Sequence, residues 1–71
     1  MSPTNEQAKQ CEAVIASLEN ASGAGHPPAV RKEIEFLLDD VSRILRGEAH
    51  FSLLRRCINE ASPTVQGYLA Y

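Results

Sequence analysis

The chain has 71 residues and a mass of 7.8 kDa, which restricts it to one domain spanning residues 1–71. Its 44% hydrophobic and 23% charged residues place it with folded globular proteins rather than disordered ones. Seven basic against nine acidic side chains leave a net charge of −2, which argues against a dedicated nucleic-acid binder. No apolar run reaches the ~18 residues of a membrane span. The start, Met1-Ser2-Pro3-Thr4-Asn5-Glu6, lacks the basic and then apolar pattern of a secretion signal. A cytoplasmic location is therefore expected, and the opening Met1 leans towards a complete small protein.

Size has a physical consequence. A chain this short buries about 60% of the surface its unfolded form exposes, so a lone core supplies only about 3–5 kcal/mol of net stability. Regular helix packing or association with a partner is the expected support, because two cysteines close at most one bridge.

The first helix is expected over about residues 3–21. Ala8, Cys11, Val14, Ile15, Leu18 and Ala21 step by three and four and so share one face. Two start signals compete: Ser2 followed by Pro3 reads as an N-cap with proline at the first helical position, and Thr4 with Gln7 reads as a capping box. Ser22-Gly23-Ala24-Gly25-His26-Pro27-Pro28 then ends the helix, with glycines for a left-handed C-cap and prolines that stop continuation.

The second helix, about 28–46, carries the widest stripe: Val30, Ile34, Leu37, Leu38, Val41, Ile44 and Leu45. Phe36 lies roughly 100° from Leu37 on the helical wheel, and is either a contact for another segment or an exposed anchor. Gly47 reads as the glycine just past the helix end, and Arg43 and Arg46 suit the negative end of its dipole. A third helix is expected over about 48–61, with Phe51, Leu54, Cys57, Ile58 and Ala61 on one side and Leu53 widening it. Ser62-Pro63 repeats the Ser-Pro start and opens a short fourth helix, about 63–70, with Val65, Tyr68 and Leu69 as its apolar positions. Gly67 weakens that helix by about 1 kcal/mol relative to alanine. No stretch alternates over a strand's length, so the expected fold is an all-α bundle of three or four helices.

Chemistry-bearing residues are sparse. Cys11, Cys57, His26 and His50 comprise the ligand types zinc prefers, but structural zinc sites take them in close pairs, and none is present here. Both cysteines fall on apolar stripes and read as core, ahead of a disulfide or a metal site. Cys57 has Arg55 and Arg56 beside it in sequence, which can activate a thiol. Adjacent helical residues diverge by about 100°, however, and His50 is two turns away. Glu33, Glu35, Asp39 and Asp40 form an acidic cluster that could bind Mg²⁺. The Glu35-Asp39-Arg43 row reads instead as a solvated i, i+4 face.

Arg43, Arg46, Arg55 and Arg56 gather basic charge around the turn and third helix, raising an alternative in which the protein is a nucleic-acid-associated regulator. A helix-turn-helix needs a small residue about four positions before the turn glycine, where Arg43 stands. Asn20-Ala21-Ser22 matches a glycosylation acceptor, which is idle without a secretion signal, and Gly23-Ala24-Gly25 lacks the lysine and strand of a phosphate loop.

The positive signal is surplus apolar surface. Phe36, Leu53, Tyr68 and Tyr71 exceed what a minimal bundle sequesters, and aromatic side chains are favoured at interfaces. The expectation is a non-enzymatic, cofactor-free helical module acting through protein–protein contacts: an adaptor, a sequestering regulator or an oligomerisation domain. Its partner is another protein or a second copy as a homodimer. The expected contact surface is Phe36 with Tyr68, Leu69 and Tyr71, rimmed by Arg46, Arg55 and Arg56. Against this stands a tail that merely folds back over its own bundle.

Overall fold

Thr4 opens the first helix. Its Oγ1 accepts the Gln7 backbone N–H at 3.2 Å, and the Gln7 side-chain Oε1 accepts the Thr4 N–H at 3.0 Å. The reciprocal pair satisfies two donors at a helix start and decides between the two sequence signals in favour of the capping box. In the computed structural model, which describes residues 2–69, four helices follow in order: α1 (Asn5–Ser22), α2 (Pro28–Leu45), α3 (Ser52–Glu60) and α4 (Pro63–Gln66). Among the described residues there is no strand, and the architecture is a small all-α bundle.

The helix ends follow local chemistry, with three departures from the sequence reading. Gly23 caps α1 in a right-handed conformation, φ −80°. The left-handed residue is Gly25, at φ 56° in the loop, so the glycine pair divides the work between cap and turn. At the end of α2, Gly47 adopts φ 79°. Its N–H donates to the Ile44 carbonyl at 3.0 Å, and the Glu48 N–H donates to the Arg43 carbonyl at 2.8 Å, the two bonds of a Schellman motif. That motif consumes Gly47 and Glu48, so α3 begins at Ser52 rather than Glu48. Phe51 is the N-cap of α3, and His50 braces the turn before it: its Nδ1 accepts the Ser52 N–H at 3.1 Å and its carbonyl accepts the Leu53 N–H at 3.1 Å.

Ser62 Oγ accepts the Val65 N–H at 3.4 Å and opens α4 behind Pro63. The helix ends at Gln66, short of the expected extent. Beyond it the chain turns, with the Tyr68 N–H on the Val65 carbonyl at 2.9 Å and the Leu69 N–H on the Gln66 carbonyl at 3.1 Å. Ala70 and Tyr71 lie outside the described residues, and with them the expected end of the fourth helix and the Tyr71 contact.

α2 is the hub, packing against each of the other three helices. The core joins Cys11, Val14, Leu18 and Ala21 of α1 to Ile34, Val41 and Ile44 of α2 and Leu54 of α3, and is closed by Ala61, Val65 and Leu69. Leu18 and Ile34 are fully buried, and removing a side chain of that size from water contributes about 1.5–3 kcal/mol each. The molecule measures 35 × 18 × 17 Å, its long axis that of the α1–α2 hairpin, since 18 residues at 1.5 Å span about 27 Å. No described helix is long and apolar enough to cross a membrane.

Candidate functional site

α1 packs along α2, and the shorter α3 leaves part of the α2 surface uncovered. There Phe36 is 71% exposed and Leu53 39% exposed. Between the two helices runs a shallow groove of two continuous hollows, one of about 410 Å³ beside Phe36 and Leu37, the other of about 300 Å³ beside Ile44 and Leu53. Asp40, Cys57 and Glu60 line both. Phe36 also borders a third hollow, shared with Lys32, Glu35 and Asp39, so it stands as a ridge with open space on two sides. The sequence pattern explains this placement: Phe36 is one position off the buried stripe, and the α1–α2 packing that seats Ile34 and Val41 turns it outward.

Polar contacts rim the groove. Arg43 pairs with Asp39 at 3.2 Å one turn earlier, and Arg56 pairs with Glu60 at 3.0 Å. Both are i, i+4 pairs on exposed helix faces and stabilise by about 0.3–0.5 kcal/mol each. Glu33 does more. Its Oε2 accepts the backbone N–H of Ser62 at 2.7 Å, a part-buried bond between residues 29 apart in sequence. In a capping box that N–H is taken by a Glu or Gln three positions into the helix; here the third position is Val65, and a carboxylate from α2 substitutes.

The cysteines follow the core reading in part. Cys11 is buried and Cys57 half-buried, and both are free thiols. Burial pushes the Cys57 thiol above its ordinary range, the Asp40 and Glu60 carboxylates push it further, and Arg56 offsets part of the rise. The arginine neighbour thus does not produce the thiolate that nucleophilic chemistry needs. Burial likewise raises Cys11, with Glu12 adding to the shift. His50 is engaged with Ser52, its Nδ1 lying 2.8 Å from Ser52 Oγ. Among the described residues, no three His, Cys, Asp or Glu side chains gather where they could hold a metal ion.

Among the described residues, those expected to form one contact surface have different neighbours. Leu69 is only 7% exposed and belongs to the core: the turn after Gln66 folds it inward, where its apolar side chain leaves water. Tyr68 remains 38% exposed, but its ring meets His26 edge-on at 5.2 Å, away from Phe36 in the α1–α2 loop. The Nε2 of His26 is buried with no hydrogen-bond partner among the described residues.

The arginines also separate. Arg46 bonds Glu48 through Nε at 2.6 Å, Arg56 faces the Leu53 hollow, and Arg55 opens on a different one with Gln10, Phe51 and Ile58. Three of the four arginines of the basic face are therefore paired with carboxylates.

No known protein family, curated protein or solved structure matches this chain. Of the charged groove residues, Lys32 has no place in the sequence analysis, and Glu33 enters it only as one of an acidic cluster. Lys32 carried a readable signal in its four-residue spacing from Phe36, whereas the role of Glu33 depends on a partner 29 residues away.

Proposed function

We propose that this chain is a non-enzymatic helical module that binds another protein chain on the α2–α3 face. The observation that carries the reading is Phe36, 71% exposed on the helix that organises the whole bundle and directly beside an unfilled apolar-floored groove. An aromatic ring so placed leaves a large apolar area in water, and aromatic residues concentrate at the centres of interfaces for that reason. The pairing of Arg43, Arg46 and Arg56 with carboxylates favours this reading over a phosphate-binding one, because those charges are already partly neutralised.

The contact surface differs from a tail-centred one, since Leu69 is committed to the bundle's own core and Tyr68 packs on His26. The test compares two variants in capture and cross-linking experiments. Phe36→Glu abolishes association with the bound chain and Tyr68→Ala preserves it, with helix content by circular dichroism unchanged in the first. A bound chain that survives Phe36→Glu and is lost with Tyr68→Ala overturns the reading.

A further inference from the structure

Of the six charged side chains that line the α2–α3 groove, four already have partners: Arg43 with Asp39, Arg56 with Glu60, and Glu33 with the Ser62 N–H. Two do not. Among the described residues, Lys32 and Asp40 make no ion pair, and they stand one turn before and one turn after Phe36 on the same row of α2. The row therefore reads cation, aromatic ring, anion at equal spacing. Read backwards it presents anion, ring, cation, which is its own complement.

An antiparallel neighbour meets α2 in that reversed order. With Phe36 on a two-fold axis, Lys32 of each copy faces Asp40 of the other, and the two phenyl rings meet at the centre. Three positions out, Asp39 faces Glu33, two carboxylates each already held within its own copy, by Arg43 and by the Ser62 N–H; seven positions out, Arg43 faces Ala29, a long side chain over a small one. Knob and hollow also lie side by side: the ring of Phe36 projects next to the 410 Å³ hollow that it helps to line, the arrangement a self-complementary interface requires, since the same patch must supply both. From these observations we infer that the occupant of the α2–α3 face is a second copy of this chain, joined as a two-fold dimer through antiparallel α2 helices centred on Phe36. The inference rests on the docking-module reading above and specifies its partner.

The test uses the intact protein and three variants at exposed positions. Wild type sediments at twice 7.8 kDa. Lys32→Asp places carboxylates opposite each other at both ends of the contact, Asp40→Lys places ammonium groups there, and each weakens self-association by more than about tenfold. Mixing these two variants restores the doubled mass as a mixed dimer, because each row then meets its opposite. Phe36→Glu is monomeric alone and in either mixture. Circular dichroism of each variant matches wild type.

A wild type that stays at 7.8 kDa up to about 1 mM, weaker than a standard interface binds, overturns self-pairing. If a different protein is then captured and released by Phe36→Glu, the docking-module reading survives alone. A dimer unaffected by all three substitutions overturns both. Dimers that break with each charge reversal and do not re-form on mixing overturn the antiparallel register.

Discussion

The α1–α2 hairpin and the α3–α4 segment face the same requirement, satisfying the polar ends of helices, and meet it in different ways. Each hairpin helix has 18 residues, and its ends are closed by near neighbours in sequence: Thr4 with Gln7, and Gly47 and Glu48 on the last turn of α2. α3 and α4 have 9 and 4 residues, too short to persist alone. Their ends are closed partly from elsewhere. Glu33 reaches from α2 to the Ser62 N–H, and the Gln66 side chain of α4 donates back to the carbonyls of Asn59 and Ala61 at 3.2 and 2.9 Å. The long helices depend on apolar burial along a stripe, whereas the short ones add to a few buried side chains, Leu54 and Val65 among them, polar bonds that cross between elements.

The largest effect expected is on the hairpin. Leu18→Ala empties a fully buried position between α1 and α2 and costs about 2–5 kcal/mol, comparable with the whole stability of a chain this size, about 3–5 kcal/mol. Loss of the cooperative thermal transition by circular dichroism checks it. A variant that melts as wild type does would place the centre of stability elsewhere.

Next comes the crossing bond. Glu33→Ala removes a charged acceptor and leaves the Ser62 N–H unpaired, a loss of about 1.5–3 kcal/mol. Hydrogen exchange should speed at Ser62, Val65 and Leu69 while the interior of α1 stays protected. Equal loss of protection in both regions would mean that the hairpin leans on the same bond. Thr4→Ala is smaller, about 1 kcal/mol, and frays only the first turn of α1, because the remaining contacts of that helix are apolar and distant from its end. Amide exchange at Gln7 and Ala8 reads it directly.

The two thiols sharpen the comparison at little energetic cost. Both are pushed above the ordinary thiol range by burial, so the unfolded chain surrenders thiol protons first as pH rises. Their contribution to stability is whole below about pH 8.5, the ordinary thiol value, and declines above it, visible as a falling urea midpoint on the alkaline side. At neutral pH, alkylation should label half-buried Cys57 through local opening of α3 before it labels Cys11, which waits for the hairpin to open. Simultaneous labelling would mean that the two regions open as one unit.

Much of this was legible in the amino-acid pattern. The stripe of Cys11, Val14, Leu18 and Ala21, the proline at the start of α2, the turn glycine Gly47 and the off-stripe position of Phe36 all follow from a 3.6-residue period and from which residues tolerate which backbone angles. These are properties of neighbours three or four positions apart, so a linear reading captures them. The delayed start of α3, the inward turn of Leu69 and the reach of Glu33 to Ser62 depend on which elements come to lie side by side. The separation of Tyr68 from Phe36, and the meeting of Asp40, Cys57 and Glu60 along one groove, also belong to that second class. Their partners are distant in the chain, and their energies exist only after the α1–α2 hairpin has formed a surface on which the short helices can settle.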